Sequence, residues 1–118
     1  MTSKIVRFTV SLTIADGKFE EFEKIAEAML AATRKEPGAR GYDWYLSSDR
    51  RQCRLLETYA DAEAVEAHLN GPVVQGFVPK LLAVASFNGF EVLGDPGPKA
   101  SAMLAGFGAA IFTPLHVF

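Results

Sequence analysis

Over residues 4–14, apolar and polar residues alternate. Val6, Phe8, Val10, Leu12 and Ile14 take one side, and Arg7, Thr9, Ser11 and Thr13 the other. A period of two predicts a strand with one strongly apolar face. The period then changes. Phe19, Phe22, Ile25, Ala26, Met29 and Ala32 recur mostly three or four apart, and Glu20, Glu21, Glu23 and Glu27 fill the opposite side. This predicts an amphipathic helix, with Asp16 as its N-cap. Arg34 and Lys35 are expected in its last turn, where they suit the dipole. Glu36, Pro37 and Gly38 then stop it.

Alternation returns over 39–47, with Tyr42, Trp44 and Leu46 on one face and Asp43 and Tyr45 on the other. A polar turn over 47–51 leads into a third strand over 52–60, and the two strands make a hairpin. Asp61 is placed to cap a helix over 62–70. A second helical piece is expected to start at Pro72, a favoured first-turn residue. Pro79 should interrupt or restart it. Residues 85–94 read as a fourth strand. After a turn at 95–98, the remainder suggests a short helix and then an extended arm.

The order β-α-β-β-α-β predicts an α+β, ferredoxin-like fold, an antiparallel sheet with its helices on one face. Residues 1–94 would form that domain, and 95–118 a C-terminal extension. Helices on one face leave the other uncovered. Tyr45, Leu55 or Leu56, and Phe87 or Phe90 must fall on opposite faces in some combination. A homodimer pairing sheet to sheet would bury that second face. The extension carries no charged residue after Lys99. Leu104, Phe107, Ile111, Phe112, Leu115, Val117 and Phe118 would forgo roughly 1.5–3 kcal/mol per large side chain if left in water. The extension is therefore expected to be buried in protein, at the dimer interface or on its own subunit.

Composition narrows the function classes. The 118 residues suit one domain plus an arm, and 49% apolar content allows a core without staples. A net charge of −2 leaves no concentrated basic surface, so neither nucleic acid nor a membrane is an expected partner. The N-terminal stretch alternates and does not present the continuous apolar block of a secretory signal. Cys53 is the single cysteine. It fits a small half-buried hydrophobe and a reducing, cytoplasmic compartment. With two His and one Cys, no metal-ligand spacing appears. No Gly-rich nucleotide fingerprint or nucleophile elbow appears either. No metal or cofactor is expected.

The runs "EPGARGYDWYLS" and "LLETYADAEAVEAHL" resemble the antibiotic biosynthesis monooxygenase family. Its pattern sets a P-G turn and a G-Y strand before a segment ending in His. Here these are Glu36, Pro37, Gly38, Gly41 and Tyr42, then Glu57, Tyr59, Asp61, Ala64 and His68. The likeness covers about residues 5–94, and the run ending at His68 is its most specific part. It implies a dimeric α+β barrel with a pocket between helices and sheet in each subunit. Some members oxygenate polycyclic aromatics or quinols with dioxygen and no metal or flavin. Others degrade haem. That branch uses an Asn near the first strand, a Trp and a His, and only the His position matches here.

His68 lies three residues from Val65 and next to Leu69, at the edge of the buried stripe of its helix. Two roles are open: a structural imidazole bonded to backbone or carboxylate, or a catalytic base. Glu57 lies about 13 Å along its strand before the Asp61 cap, and His68 about 10 Å along its helix beyond it. The two are roughly level. If Glu57 faces the helices, a His–carboxylate pair forms. If it faces away, it meets the dimer interface. Alternation leaves both open. Trp44, Tyr42, Tyr59, Phe8 and Phe90 are candidates for an aromatic-binding wall. Asn88 is a candidate carbonyl-orienting donor or an exposed strand residue. The leading expectation is a cofactor-independent monooxygenase acting on a small aromatic or quinol-like molecule, with His68 and Glu57 as its chemistry. A non-catalytic dimeric binding or stress-associated protein, or an isomerase or lyase, are the alternatives.

Overall fold

Val6, Phe8, Val10, Leu12 and Ile14 are all buried in strand β1 (Val6–Ile14), as the alternation predicts. The structure is a computed structural model that describes residues 3–118. Met1 and Thr2, with which the expected domain begins, lie outside the described residues. Helix α1 (Phe19–Thr33) follows, then strands β2 (Ala39–Leu46) and β3 (Gln52–Tyr59) and helix α2 (Ala62–Asn70). A π-helical turn (Val73–Phe77) runs into α3 (Val78–Leu82), strand β4 (Ala85–Leu93), helix α4 (Gly97–Gly106) and strand β5 (Ala110–Phe112). The sheet order is β2-β3-β1-β4-β5, antiparallel except for the β4–β5 pair. This is the expected α+β, ferredoxin-like architecture with one added strand. Among the described residues, no helix is long and apolar enough to cross a membrane.

Register decides which residues reach the core. Phe8 pairs with Glu57 on one side and Val92 on the other, and Tyr42 pairs with Glu57. Directly paired residues share a face. Tyr42, Glu57, Phe8 and Val92 therefore form one row under the helices. Leu55 points inward on the next row and Leu56 outward, and Leu56 is exposed. Phe87 and Phe90 do not split as expected. Leu12 pairs with Phe87 and Ser11 with Gly89, so Asn88 is an extra, bulged residue. The bulge shifts the parity of β4, and both phenylalanines pack against the core.

Several local expectations need correction. Asp16 does not cap α1. Gly17 takes a positive φ and makes a turn, Lys18 occupies the cap position without a capping side chain, and Asp16 pairs with Arg51 on the surface. No basic residue sits in the last turn, because the helix ends at Thr33 and Arg34 is its C-cap. Asp61 caps α2 as expected, accepting from the Ala64 amide at 2.9 Å. The second helical piece begins at Pro72 as expected, though its first turn is π-helical, and Pro79 sits in the first turn of α3, so it restarts the helix.

The extension is only half buried in its own chain. Ala100 and Leu104 of α4 are fully enclosed, and α4 packs on α2. Ile111 and Phe112 lie on the sheet edge, and Leu115, Val117 and Phe118 stand in solvent.

Candidate active site

The site grows from Glu57. Residues paired with the β1 core row must face inward, so the carboxyl lies between Tyr42 and Phe8 and is buried. Tyr59, two residues along the same strand, faces the same way and donates its hydroxyl to Glu57 Oε1 at 2.5 Å. From above, α2 buries Val65 and Leu69, and the same stripe carries His68 inward to 2% exposure. His68 Nε2 comes within 3.7 Å of Glu57 Oε1, a close approach but no direct hydrogen bond. The Tyr42 and Tyr59 rings flank the imidazole at 5.6 and 5.1 Å.

The other edge of the imidazole meets a residue from a third element. Glu36, just past α1, places its two carboxylate oxygens 2.8 and 3.1 Å from His68 Nδ1. Its position depends on Gly38. A Cβ there would lie 2.3 Å from the Ala64 Cβ, so only glycine lets this turn close on α2. The Gly38 carbonyl then accepts from the Ala60 amide at 2.9 Å.

Tyr42, Glu57 and His68 form one wall of a cavity with about 450 Å³ of atom-free space, mouth included. Phe8, Met29, Phe87, Phe90 and Phe107 supply much of its apolar lining, and among the described residues Tyr42, Glu57 and His68 are its titratable side chains. Phe107 comes from the extension, so that segment helps to line the pocket of its own chain.

Burial governs the electrostatics. It pushes the Glu57 carboxyl up to about 8, against the Tyr59 hydrogen bond that favours the ionised form; nearby Glu36 raises it further. Burial lowers the His68 imidazole, a shift that Glu36 opposes. Burial and the Glu57 charge raise both Tyr42 and Tyr59. Near neutrality the wall therefore presents a neutral imidazole beside a protonated carboxylic acid. Among the described residues, no group of three His, Cys, Asp or Glu side chains has the arrangement to hold a metal ion.

Of the residues singled out from sequence, Phe8, Tyr42, Glu57, His68 and Phe90 meet at the cavity. Tyr59 lies behind Glu57, not on the cavity surface. Trp44 is one row away, edge-on to Phe22 and Tyr42, and its buried indole N–H finds no partner among the described residues. Asn88 is exposed on the opposite sheet face, bonded to Thr13 and Gln52, because the bulge turns it outward. Cys53 is buried, and burial raises its thiol. Glu36, Phe107, Met29 and Phe87 are among the residues the sequence did not assign to the site. Glu36 does belong to the same family pattern as Gly38, which was its one signal.

The family model for the antibiotic biosynthesis monooxygenases matches residues 5–80. The chain belongs to that family. No curated protein matches it. Among solved structures, MupZ from Pseudomonas fluorescens superposes over 100% of this chain and 91% of its own, with a TM-score of 0.84 and 22% identity. SnoaB from Streptomyces nogalater, described as a cofactor-independent oxygenase, matches 80% of this chain and 96% of its own, at TM-score 0.69 and 18% identity. A conserved protein from Methanosarcina mazei Go1 covers 76% and 89%, at 0.68 and 19%. At these identities the likenesses establish the fold. The MupZ likeness includes the C-terminal extension.

The raised Glu57 has a consequence for stability. Between its ordinary 4.5 and about 8, the folded chain holds a proton that the unfolded chain releases, so stability falls as pH rises. His68 works in the opposite sense, since the fold favours its neutral form and stability falls as pH drops below the ordinary 6.5. From pH 6.5 to 8 the Glu57 slope stands apart from that of His68. Wild type should lose about 1–2 kcal/mol across that range. Glu57→Gln, which keeps the Tyr59 acceptor, should lose less. Urea denaturation at both pH values measures the difference, and parallel losses would contradict a buried acid.

Proposed function

We propose that the protein is a cofactor-independent monooxygenase-type enzyme that oxidises a small aromatic or quinol-type substrate with dioxygen. One observation carries the reading. A neutral imidazole and a protonated carboxyl converge on one wall of an otherwise apolar pocket. His68 takes a proton from an acidic C–H or hydroxyl of the substrate. The resulting electron-rich anion passes an electron to dioxygen, the two radicals combine to a peroxide anion, and the His68 imidazolium returns the proton to give a hydroperoxide. Loss of water leaves a carbonyl. Overall, an activated methylene plus dioxygen gives a ketone plus water, with the substrate itself as reductant. Glu57 is the acid that assists departure of hydroxide. Tyr42, Phe8 and Phe90 hold the ring, and the apolar lining excludes bulk water.

The same pair also fits a second reading, proton transfer without redox chemistry, as in an isomerase or lyase. The acid facing the base favours it. Membership of a family of small-molecule enzymes supports the oxygenase reading over it.

The working unit in this proposal is a homodimer. The outer sheet face leaves Tyr45, Leu56 and Leu93 exposed, and Leu115, Val117 and Phe118 project from the extension. A second copy packed sheet to sheet, with the arms at the interface, would cover them. A monomeric mass in dilute solution contradicts this assembly.

Oxygen uptake with a panel of hydroquinones and hydroxylated anthrones tests the activity. Uptake should match ketone or quinone formed, and His68→Ala should lower kcat by about 10²–10⁴-fold. Unchanged uptake in that variant removes His68 from the chemistry. Product without oxygen uptake supports the isomerase or lyase reading. Saturable binding with no turnover supports a binding protein.

A further inference from the structure

The geometry points to Glu36 as the positioning residue of the site: its carboxylate holds His68 as the Nδ1–H tautomer, so that Nε2 offers its lone pair to the pocket. This rests on the reading of His68 as the base, and it adds the group that makes the base competent.

Both Glu36 oxygens lie within hydrogen-bond distance of Nδ1, at 2.8 and 3.1 Å. A carboxylate has only acceptors to offer. If Nδ1 carried the lone pair, two negatively polarised oxygens would face it at that distance. Placing the hydrogen on Nδ1 converts that repulsion into a charge-assisted hydrogen bond. In the neutral imidazole the lone pair then sits on Nε2, on the side of Glu57 and the cavity. With the other tautomer, Nε2 would carry a hydrogen and could take no proton from substrate.

The contact is built, not incidental. The His68 side chain is 3% exposed and that of Glu36 is 20% exposed, so the carboxylate reaches in from the surface. It can do so because the Gly38 turn closes on Ala64 of α2 without a Cβ between them. The Tyr42 and Tyr59 rings pack against the imidazole, with centroids 5.6 and 5.1 Å away. When Nε2 accepts a proton, the adjacent carboxylate stabilises the imidazolium that forms. Glu36 is absent from the cavity lining, so it acts through His68 and not on the substrate.

The tautomer can be read directly, without knowing the substrate. Protein labelled with ¹⁵N at histidine reports which ring nitrogen carries hydrogen in long-range ¹H–¹⁵N spectra. The second histidine, His116, is exposed in the tail, and His116→Gln removes its signals. His68 should show a protonated-type Nδ1 and an unprotonated-type Nε2 at pH 7.5. In Glu36→Gln, whose amide both donates and accepts, the preference should fall. With a turned-over quinol, that variant should lose about 10²-fold in kcat with little change in KM. A wild-type His68 carrying hydrogen on Nε2 overturns the proposal outright, even if Glu36→Gln does not fold. A Glu36→Gln tautomer identical to wild type overturns it as well. The correct tautomer together with His68→Ala that keeps full activity leaves the positioning intact and removes the base reading instead.

Discussion

Glu57 is a carboxyl placed where the sheet needs a hydrophobe. Its register partner Phe8 belongs to the unbroken apolar face of β1, so the pairing drives Glu57 inward. Burying an ionised carboxyl without a cation costs far more than keeping it protonated. Among the described residues no Lys or Arg pairs with it, and the polar side chains beside it include Tyr59, Tyr42 and His68. Each gains a reason from that constraint. Tyr59 supplies one hydrogen bond, and His68 stands opposite without charge. The whole wall stays neutral by holding its proton, which leaves a donor and an acceptor side by side in an apolar space.

Three chain segments, two consecutive and one 32 positions from His68, must meet to build this site. β3 brings Glu57 and Tyr59, α2 brings His68, and the turn after α1 brings Glu36. The hairpin and the Asp61 cap set the first two in order, since the cap starts α2 immediately after the strand ends. The third depends on the close contact of Gly38 with Ala64. The extension adds Phe107 to the cavity lining before its arm leaves the core. The segment beyond the ferredoxin-like domain is thus part of the pocket.

Much of the fold was legible because alternation and helical spacing report burial directly. The face of β1, the capped start of α2 and the four main strands follow from that. The orientation of Glu57 did not, because consecutive Leu55 and Leu56 let either face of β3 read as apolar. It was decided by pairing with β1. Asn88 is one inserted residue, and alternation has no means to register it. The bulge leaves Asn88 outward, the exposed one of its two readings, and both Phe87 and Phe90 inward. Trp44 was read correctly as sharing a face with Tyr42, yet one row of spacing takes it off the cavity. Glu36 read as a helix stop, and its partnership with His68 spans 32 positions of sequence that no local pattern connects.

The central claim is that Glu57 is a neutral acid facing a neutral imidazole. Carbon-13 at the glutamate side-chain carboxyl, assigned to Glu57 with the Glu57→Gln variant, measures it most directly. The account predicts a protonated carboxyl signal at pH 7 and a titration midpoint near 8. A midpoint near the ordinary 4.5 would contradict it.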